Sequence, residues 1–371
     1  MSTIKGTILY IGNFELPDKG ASANRVMTHA KLFRALGYNT VYLGVSHEKQ
    51  INGIEKLAEN LYERQYPSST LQWLKHGYGL TDILSVIEHC ENLRYIVLYN
   101  AQYSITCRLR KWCKKNCVKL IYDCTEWNPS TEGNILKKYY KELDTQFIKK
   151  KLGKKVDGII AVSTRMLQNY ERQVPAILVP PLVDTEDAIW HQPTDSVKEG
   201  FEFCYAGAPY EKDNTGLLVE AFSQIESKTA RLHIIGLTKE EFVRMYPDQN
   251  DVVRELNDRL VFTGWIDHSR TIKYLLNTDC FIFLRENTLR NHVGFPTKFV
   301  EAYTSGVDII ATDISDLAKY SGVGVHIMRE LNSSVVIKTM NEVLANHCGR
   351  KNLQTAFDWR NYVKGMAEFL D

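Results

Sequence analysis

Short apolar runs alternate with segments of helical period almost from end to end of this 371-residue chain. That alternation constrains the fold more than any other feature, because it is the pattern of a parallel sheet covered by helices. In the first half the runs Gly6–Ile11, Thr40–Gly44, Tyr95–Tyr99, Lys119–Tyr122 and Gly158–Val162 are expected to be strands. The segment Ala23–Leu36 places Val26, Ala30, Phe33 and Leu36 on one face and stops at Gly37, as an amphipathic helix does. Between Val174 and Gly200 the prolines Pro175, Pro180, Pro181 and Pro193 break any period, and a linker is expected there. The alternation then restarts with strands at Phe201–Ala206, Leu232–Gly236, Leu260–Thr263, Cys280–Leu284 and Asp308–Ala311. Helices are expected at Thr215–Ile225, Ser269–Leu276 and Thr297–Ser305. The reading is α/β, with Rossmann-like domains over residues 1–180 and 181–350 and a terminal segment over 351–371. The length suits two cores of roughly 150–200 residues.

The balance of 46 basic and 44 acidic residues gives a formal charge of +2, which argues against nucleic-acid binding through a global positive field. The opening residues read as a strand rather than a signal peptide, and a cytoplasmic protein is expected. The longest apolar runs fall far short of the roughly 18–20 residues that cross a bilayer. The eight cysteines read as reduced thiols. Cys107, Cys113, Cys117 and Cys124 lie close together but lack a CxxC spacing, so no metal site is expected.

In parallel sheets, ligands gather in the loops beyond the carboxyl ends of strands. The segment Arg285–Thr312 carries such a loop between a strand and a helix. Gly294 frees the backbone, Pro296 suits a first helical turn, and Gly306 ends the helix after Phe299, Val300 and Tyr303 form its buried stripe. The amides of that helix start favour an anion such as a diphosphate. Lys298 in the first turn opposes the helix dipole, so it is either a solvated lysine or the partner of a nearby anion.

The stretch GFPTKFVEAYTSGVDIIAT resembles the donor-site helix of family 4 (group 1) glycosyltransferases. The resemblance implies the GT-B fold, two Rossmann-like domains facing each other across a cleft. It also implies a pair of glutamates, of which the second, Glu301, holds the ribose hydroxyls of a nucleotide; the first position is Val293, which brings no carboxylate. Gly294, Phe295, Thr297 and Lys298 fall within the implied donor site. FCYAGAPYEKDNTGLLVEAF is similar to the opening strand, loop and helix of that domain. There Gly207 and Lys212 match, while Ala208 stands where an arginine is common. Arg285, or Arg290, is placed to supply the guanidinium.

In the first half, GNFELPDKGASANR matches the family's glycine-containing loop, which implies that Gly20 and Ala21 admit the donor closely and that Asn24 and Arg25 reach it. It is not a GxGxxG fingerprint, which disfavours a nicotinamide enzyme. YDCTEW follows a strand and places Asp123 and Glu126 for acceptor positioning or its proton, with helix capping as the competing role. Ser163 resembles the family's strand-end serine. The terminal segment, with Trp359 and Tyr362, resembles the helix that crosses back to the first domain.

The implied reaction moves a sugar from a nucleoside diphosphate, UDP favoured, to a hydroxyl of a glycan or lipid-linked acceptor. It proceeds with retention, without metal or other cofactor, in bacterial surface polysaccharide assembly. Lys212, Arg285, Glu301, Asp123 and Glu126 are the expected catalytic set. Basic clusters at Arg108–Lys119 and Lys137–Lys155, mixed with aromatic residues, fit either solvated helix faces or peripheral contact with the inner membrane leaflet. Two alternatives remain: a UDP-sugar 2-epimerase of the same fold, and an inactive sugar-nucleotide-binding subunit, the latter suggested by Val293 and Ala208.

Overall fold

Where β-branched and aromatic residues run unbroken, the chain forms strands buried on both faces, as a helix-covered parallel sheet requires. In the computed structural model, residues 4–47, 51–69, 72–73, 76, 79–127, 135–193, 200–207, 213–347, 349 and 351–371 are described. They fall into two compact units. The first comprises Met1–Leu182, Val293–Phe295 and Asp358–Asp371, and the second comprises Val183–His292 and Pro296–Phe357.

The strands of the first unit are β1 (Gly6–Gly12), β2 (Tyr38–Ser46), β3 (Ile54–Ala58), β4 (Leu61–Gln65), β5 (Leu93–Tyr99), β6 (Lys119–Cys124), β7 (Gly158–Ala161) and β8 (Ala176–Leu178). They form one sheet in the order β3-β4-β2-β1-β5-β6-β7-β8. Every pairing is parallel except the antiparallel β3–β4 pair at one edge. The second unit holds β9 (Glu202–Ala206), β10 (Arg231–Ile235), β11 (Leu260–Gly264), β12 (Cys280–Phe283), β13 (Asp308–Thr312) and β14 (Val325–Met328). Their order is β11-β10-β9-β12-β13-β14, all parallel.

Several elements add to the sequence expectation. The β3–β4 pair reads IEKLA and LYERQ: β3 is a largely exposed edge strand, whereas β4 also pairs with β2 and buries Tyr62, Glu63 and Arg64. The proline-broken stretch holds β8, a three-residue edge strand that joins the first sheet before the chain passes to the second unit. The second unit also contains β14 and the helices Lys239–Met245, Asn250–Leu256 and Ser333–Asn346.

Each sheet has its own core. In the first, Ile8, Tyr10, Val26, Phe33, Val97 and Ile121 pack together with Met366 and Leu370 of the terminal Val363–Leu370 helix. Tyr95 donates its hydroxyl to the Leu370 carbonyl at 2.8 Å. In the second, Phe203, Phe222, Leu232, Ile282, Ile310 and Met340 form the equivalent centre.

One polar knot is buried in the first core. Asp123, at the end of β6, is wholly buried. Arg25 grips it through Nε at 2.9 Å and Nη2 at 2.7 Å, while Arg25 Nη1 donates to the Val179 carbonyl at 3.0 Å. Tyr10 donates its hydroxyl to the same carboxylate and lies 3.0 Å from His29 Nδ1. The expected outward reach of Arg25 toward a donor and of Asp123 toward an acceptor is therefore corrected. Both side chains are consumed inside the fold, because a buried carboxylate must be matched by a full set of donors.

Burial pushes the Asp123 carboxyl up, but the Arg25 charge and hydrogen bonds outweigh it and hold the pKa below the ordinary value. Asp123→Ala leaves Arg25 buried without a counter-charge and is expected to cost about 3–5 kcal/mol in urea unfolding at pH 7. Because the folded pKa is depressed, this stabilisation is complete above the unfolded value of about 3.9 and disappears as pH falls through the folded value. The wild-type and variant curves should accordingly converge in strong acid.

Candidate functional site

In the second sheet the chain winds outward from β9 to β11 on one side, then returns to β12 and winds the other way to β14. The switch point between β9 and β12 is where an open parallel sheet presents a ligand site. Gly207 follows β9, Asp213 lies two residues before the Thr215–Ser223 helix, Arg285 lies just beyond β12, and Lys298 is in the first turn of the Thr297–Ser305 helix.

These residues converge on one carboxylate. Asp213 accepts from Arg285 Nε at 2.6 Å on one oxygen, and from Lys298 Nζ at 2.7 Å and Tyr205 Oη at 2.7 Å on the other. Its side chain has no exposed surface, whereas those of Arg285 and Lys298 are 15% and 23% exposed. Burial raises the Asp213 pKa, and the two cations, Lys298 foremost, more than reverse this, lowering it to about 2. Two cations are thus held on one anion at the switch point. The Arg285 guanidinium also lies 4.6 Å from the Phe283 ring, and Lys298 Nζ lies 4.9 Å from the Tyr205 ring.

Glycine at 207 is required by this close approach. A Cβ there would lie 1.7 Å from Lys298 Nζ. The anion that makes Lys298 tolerable at a helix start is thus Asp213, a residue that sequence reading passed over as part of a polar loop. The signal lay in the isolated cations at a strand end and a helix start, which need a counter-charge once half-buried. Pro296 occupies the N-cap rather than the first turn, and Gly306 is the left-handed C-cap at φ 76°.

Glu301 lies one turn further along the helix and accepts from His268 Nε2 at 2.9 Å. Thr297 and Gly294 are half-buried, Phe295 is buried, and Arg290 is exposed. Val293 is buried in the first unit, where its carbonyl accepts from Ser163 Oγ at 2.6 Å. Ser163 also caps the Thr164–Tyr170 helix. Lys212 and Ala208 lie outside the described residues.

The first unit carries a cavity of about 380 Å³, a volume within the range of small-molecule sites. Gly12 at the end of β1, Asn13 after it and Asn100 after β5 line it, at that sheet's own switch point. Glu126 and Trp127 line it as well. Asp123 and Glu126 therefore part company, the first sealed in the core and the second exposed. Gly20 and Ala21 are exposed at the start of the Ala21–Ala35 helix, with Gly20 at φ 89°, and Asn24 is half-buried. Among the described residues the cysteines are free, and no His, Cys, Asp and Glu cluster could hold a metal ion. No helix among them is long and apolar enough to cross a membrane.

Gly207→Ala is expected to push Lys298 off Asp213, since a Cβ would lie 1.7 Å from Lys298 Nζ, and to crowd the buried Tyr205 hydroxyl, 2.4 Å away. Losing a cation raises a carboxyl pKa. A 13C NMR titration of Asp213 should show a midpoint near about 2 in the wild type and a higher one in the variant.

Residues 200–346 match the family model described as glycosyl transferases group 1. No curated protein matches the chain by sequence. Solved structures do match in fold. Sucrose-phosphate synthase from Thermosynechococcus elongatus superposes with a TM-score of 0.70 at 14% identity, covering 98% of each chain. HepE of Anabaena, solved in complex with UDP and glucose, superposes with a TM-score of 0.68 at 12% identity over 98% of this chain and 99% of that one. The lipopolysaccharide outer core galactosyltransferase WaaB gives 0.62 at 15% identity over the same shares. The chain thus has the GT-B fold, and its residues 200–346 are similar to group 1 glycosyl transferases.

Proposed function

We propose that this protein is a glycosyltransferase that moves a sugar from a nucleoside diphosphate to an acceptor hydroxyl with retention of configuration. The observation that carries the reading is the convergence of Arg285 and Lys298 on Asp213 at the second unit's switch point, within the module that matches the group 1 family. A diphosphate placed there meets two cations that are already oriented, together with the amides of the Thr297–Ser305 helix start. Negative charge grows on the leaving diphosphate as the bond from the sugar carbon to phosphate oxygen breaks. Fixed cations stabilise that charge without a metal, and Lys212 adds to them. Glu301 accepts hydrogen bonds from the ribose hydroxyls.

On this reading the acceptor oxygen attacks the same face of the sugar, and its proton passes to the departing phosphate oxygen. No enzyme carboxylate is required as nucleophile, which agrees with valine at position 293. Glu126, on the cavity of the first unit, orients the acceptor; Asp123 acts only by positioning the strand end. Uridine is favoured as the base, in keeping with the UDP bound to HepE.

Isothermal titration with UDP, GDP and dTDP should find one nucleotide that binds, with affinity falling about 10-fold in Glu301→Ala. Arg285→Ala and Lys298→Ala should each lower turnover by about 10²–10³. Wild-type turnover in both would refute the charge-stabilisation role, and absence of any nucleotide binding at millimolar concentration would refute the transferase reading.

A lipid-linked acceptor for surface polysaccharide assembly and peripheral contact with the inner leaflet are part of the proposal. Their support is the Ile135–Lys151 helix, where Ile135, Tyr139 and Leu143 are exposed at four-residue spacing and the last turn carries Lys149, Lys150 and Lys151. Sedimentation with anionic vesicles at low salt should capture the wild type and lose Tyr139→Glu; failure to capture the wild type would overturn membrane contact.

A further inference from the structure

The cavity of the first unit holds a buried cation that the mechanism does not use. Arg64, near the end of β4, lines the cavity and is only 6% exposed. Its Nη2 donates to His76 Nε2 at 2.8 Å, and its Nε is buried without a hydrogen-bond partner. Burial and the neighbouring Arg64 charge lower the His76 pKa to about 3, so His76 is neutral and adds no negative charge. Burial likewise lowers Arg64 to about 10, against the opposing pull of Asp82, which leaves the guanidinium charged at neutral pH.

The carboxylates on the cavity wall do not neutralise it. Asp144 accepts from the Tyr103 backbone N–H at 2.8 Å, and Glu126 is exposed. No carboxylate among the described residues pairs with Arg64. Burying an unpaired charge costs several kcal/mol. A second orphan lies on the same wall: Gln102 Oε1 is buried and accepts no hydrogen bond, although its Nε2 reaches the Trp73 carbonyl at 3.5 Å. The cavity therefore offers a guanidinium fork, an unfilled acceptor and the aromatic faces of Trp73 and Tyr99.

We propose that this cavity selects a saccharide acceptor bearing an anionic oxygen group, a carboxylate or a phosphate, which Arg64 receives while Gln102 accepts from a ring hydroxyl. The proposal rests on the transferase reading for the word acceptor, but its test does not require the donor. The anion supplies the counter-charge that the fold leaves out, and the aromatic walls cover the apolar face of the ring.

The test is isothermal titration of the full chain, without nucleotide, against glucuronic acid, glucose 6-phosphate and methyl glucoside. The expected result is at least about 10-fold tighter binding of one charged sugar than of methyl glucoside, the charged sugar that binds identifying carboxylate or phosphate. Arg64→Met should erase that preference, leave UDP binding unchanged, and not lower the melting temperature of the free protein. Gln102→Leu should weaken all three probes while preserving the order. Should Arg64→Met fail to fold, the His76 ring resonances in wild-type NMR give the answer, moving with the charged probe and not with methyl glucoside. Equal affinities, no binding at tens of millimolar, or a preference that survives Arg64→Met would each overturn the proposal. UDP binding in the same samples separates this failure from failure of the transferase reading: the acid-sugar site can fail while UDP binds, and the reverse.

Discussion

How each buried cation is neutralised decides what its surroundings can do. Asp123 gives its carboxylate to Arg25 and Tyr10, and that guanidinium spends its remaining donors on backbone carbonyls. Charge and hydrogen bonds close on themselves, and the result is a strut across the first core. Asp213 is shared by two cations and fixes the positions of both. Among the described residues Arg64 pairs with no carboxylate and only with a neutral imidazole. The same chemistry at three levels of compensation thus separates scaffold from site, because only an under-compensated charge exerts a field on an incoming ligand.

The placement of these groups follows from the winding of the two sheets. Each sheet reverses its strand order once, between β1 and β5 and between β9 and β12. Loops diverge at such a reversal, and the gap they leave is the natural seat of a ligand. The Asp213 cluster and the first unit's cavity occupy equivalent positions in their own sheets. Glycine serves the second directly, since Gly207 leaves the space through which Lys298 reaches its anion.

Much of the architecture was legible in the chain's periodicity. The central strands fell where apolar runs stood, since strands buried on both faces must be continuously apolar. The outer elements were not legible: β4 buries the charged residues Glu63 and Arg64, β3 is polar and β8 sits among prolines, and β3 and β8 are edge strands, which need neither full apolar cover nor a complete ladder. At the candidate site, Lys298, Arg285 and Glu301 could be named from the motif and from their place at element ends. Asp213 could not, because a loop aspartate has no periodic signature and its importance arises only when β9 and β12 become neighbours. Arg25 and Asp123 failed for the same reason in reverse: 98 residues apart in sequence, each looked free until the fold paired them.

The hairpin of β3 and β4 lies at the outer margin of the first sheet, the only antiparallel pair among the described strands. Strands at a margin tolerate replacement because few neighbours depend on their register. Arg64 lies on β4, one strand in from this margin and paired with β2 as well as β3, whereas Tyr10 and Asp123, which hold the centre, lie on β1 and β6. On the proposal made above, chemical preference in the first unit is carried near the border of the sheet rather than by its middle. Exchange of a few residues at this border can retune what the cavity accepts while the load-carrying middle of the sheet, and all of the second unit, stay as they are.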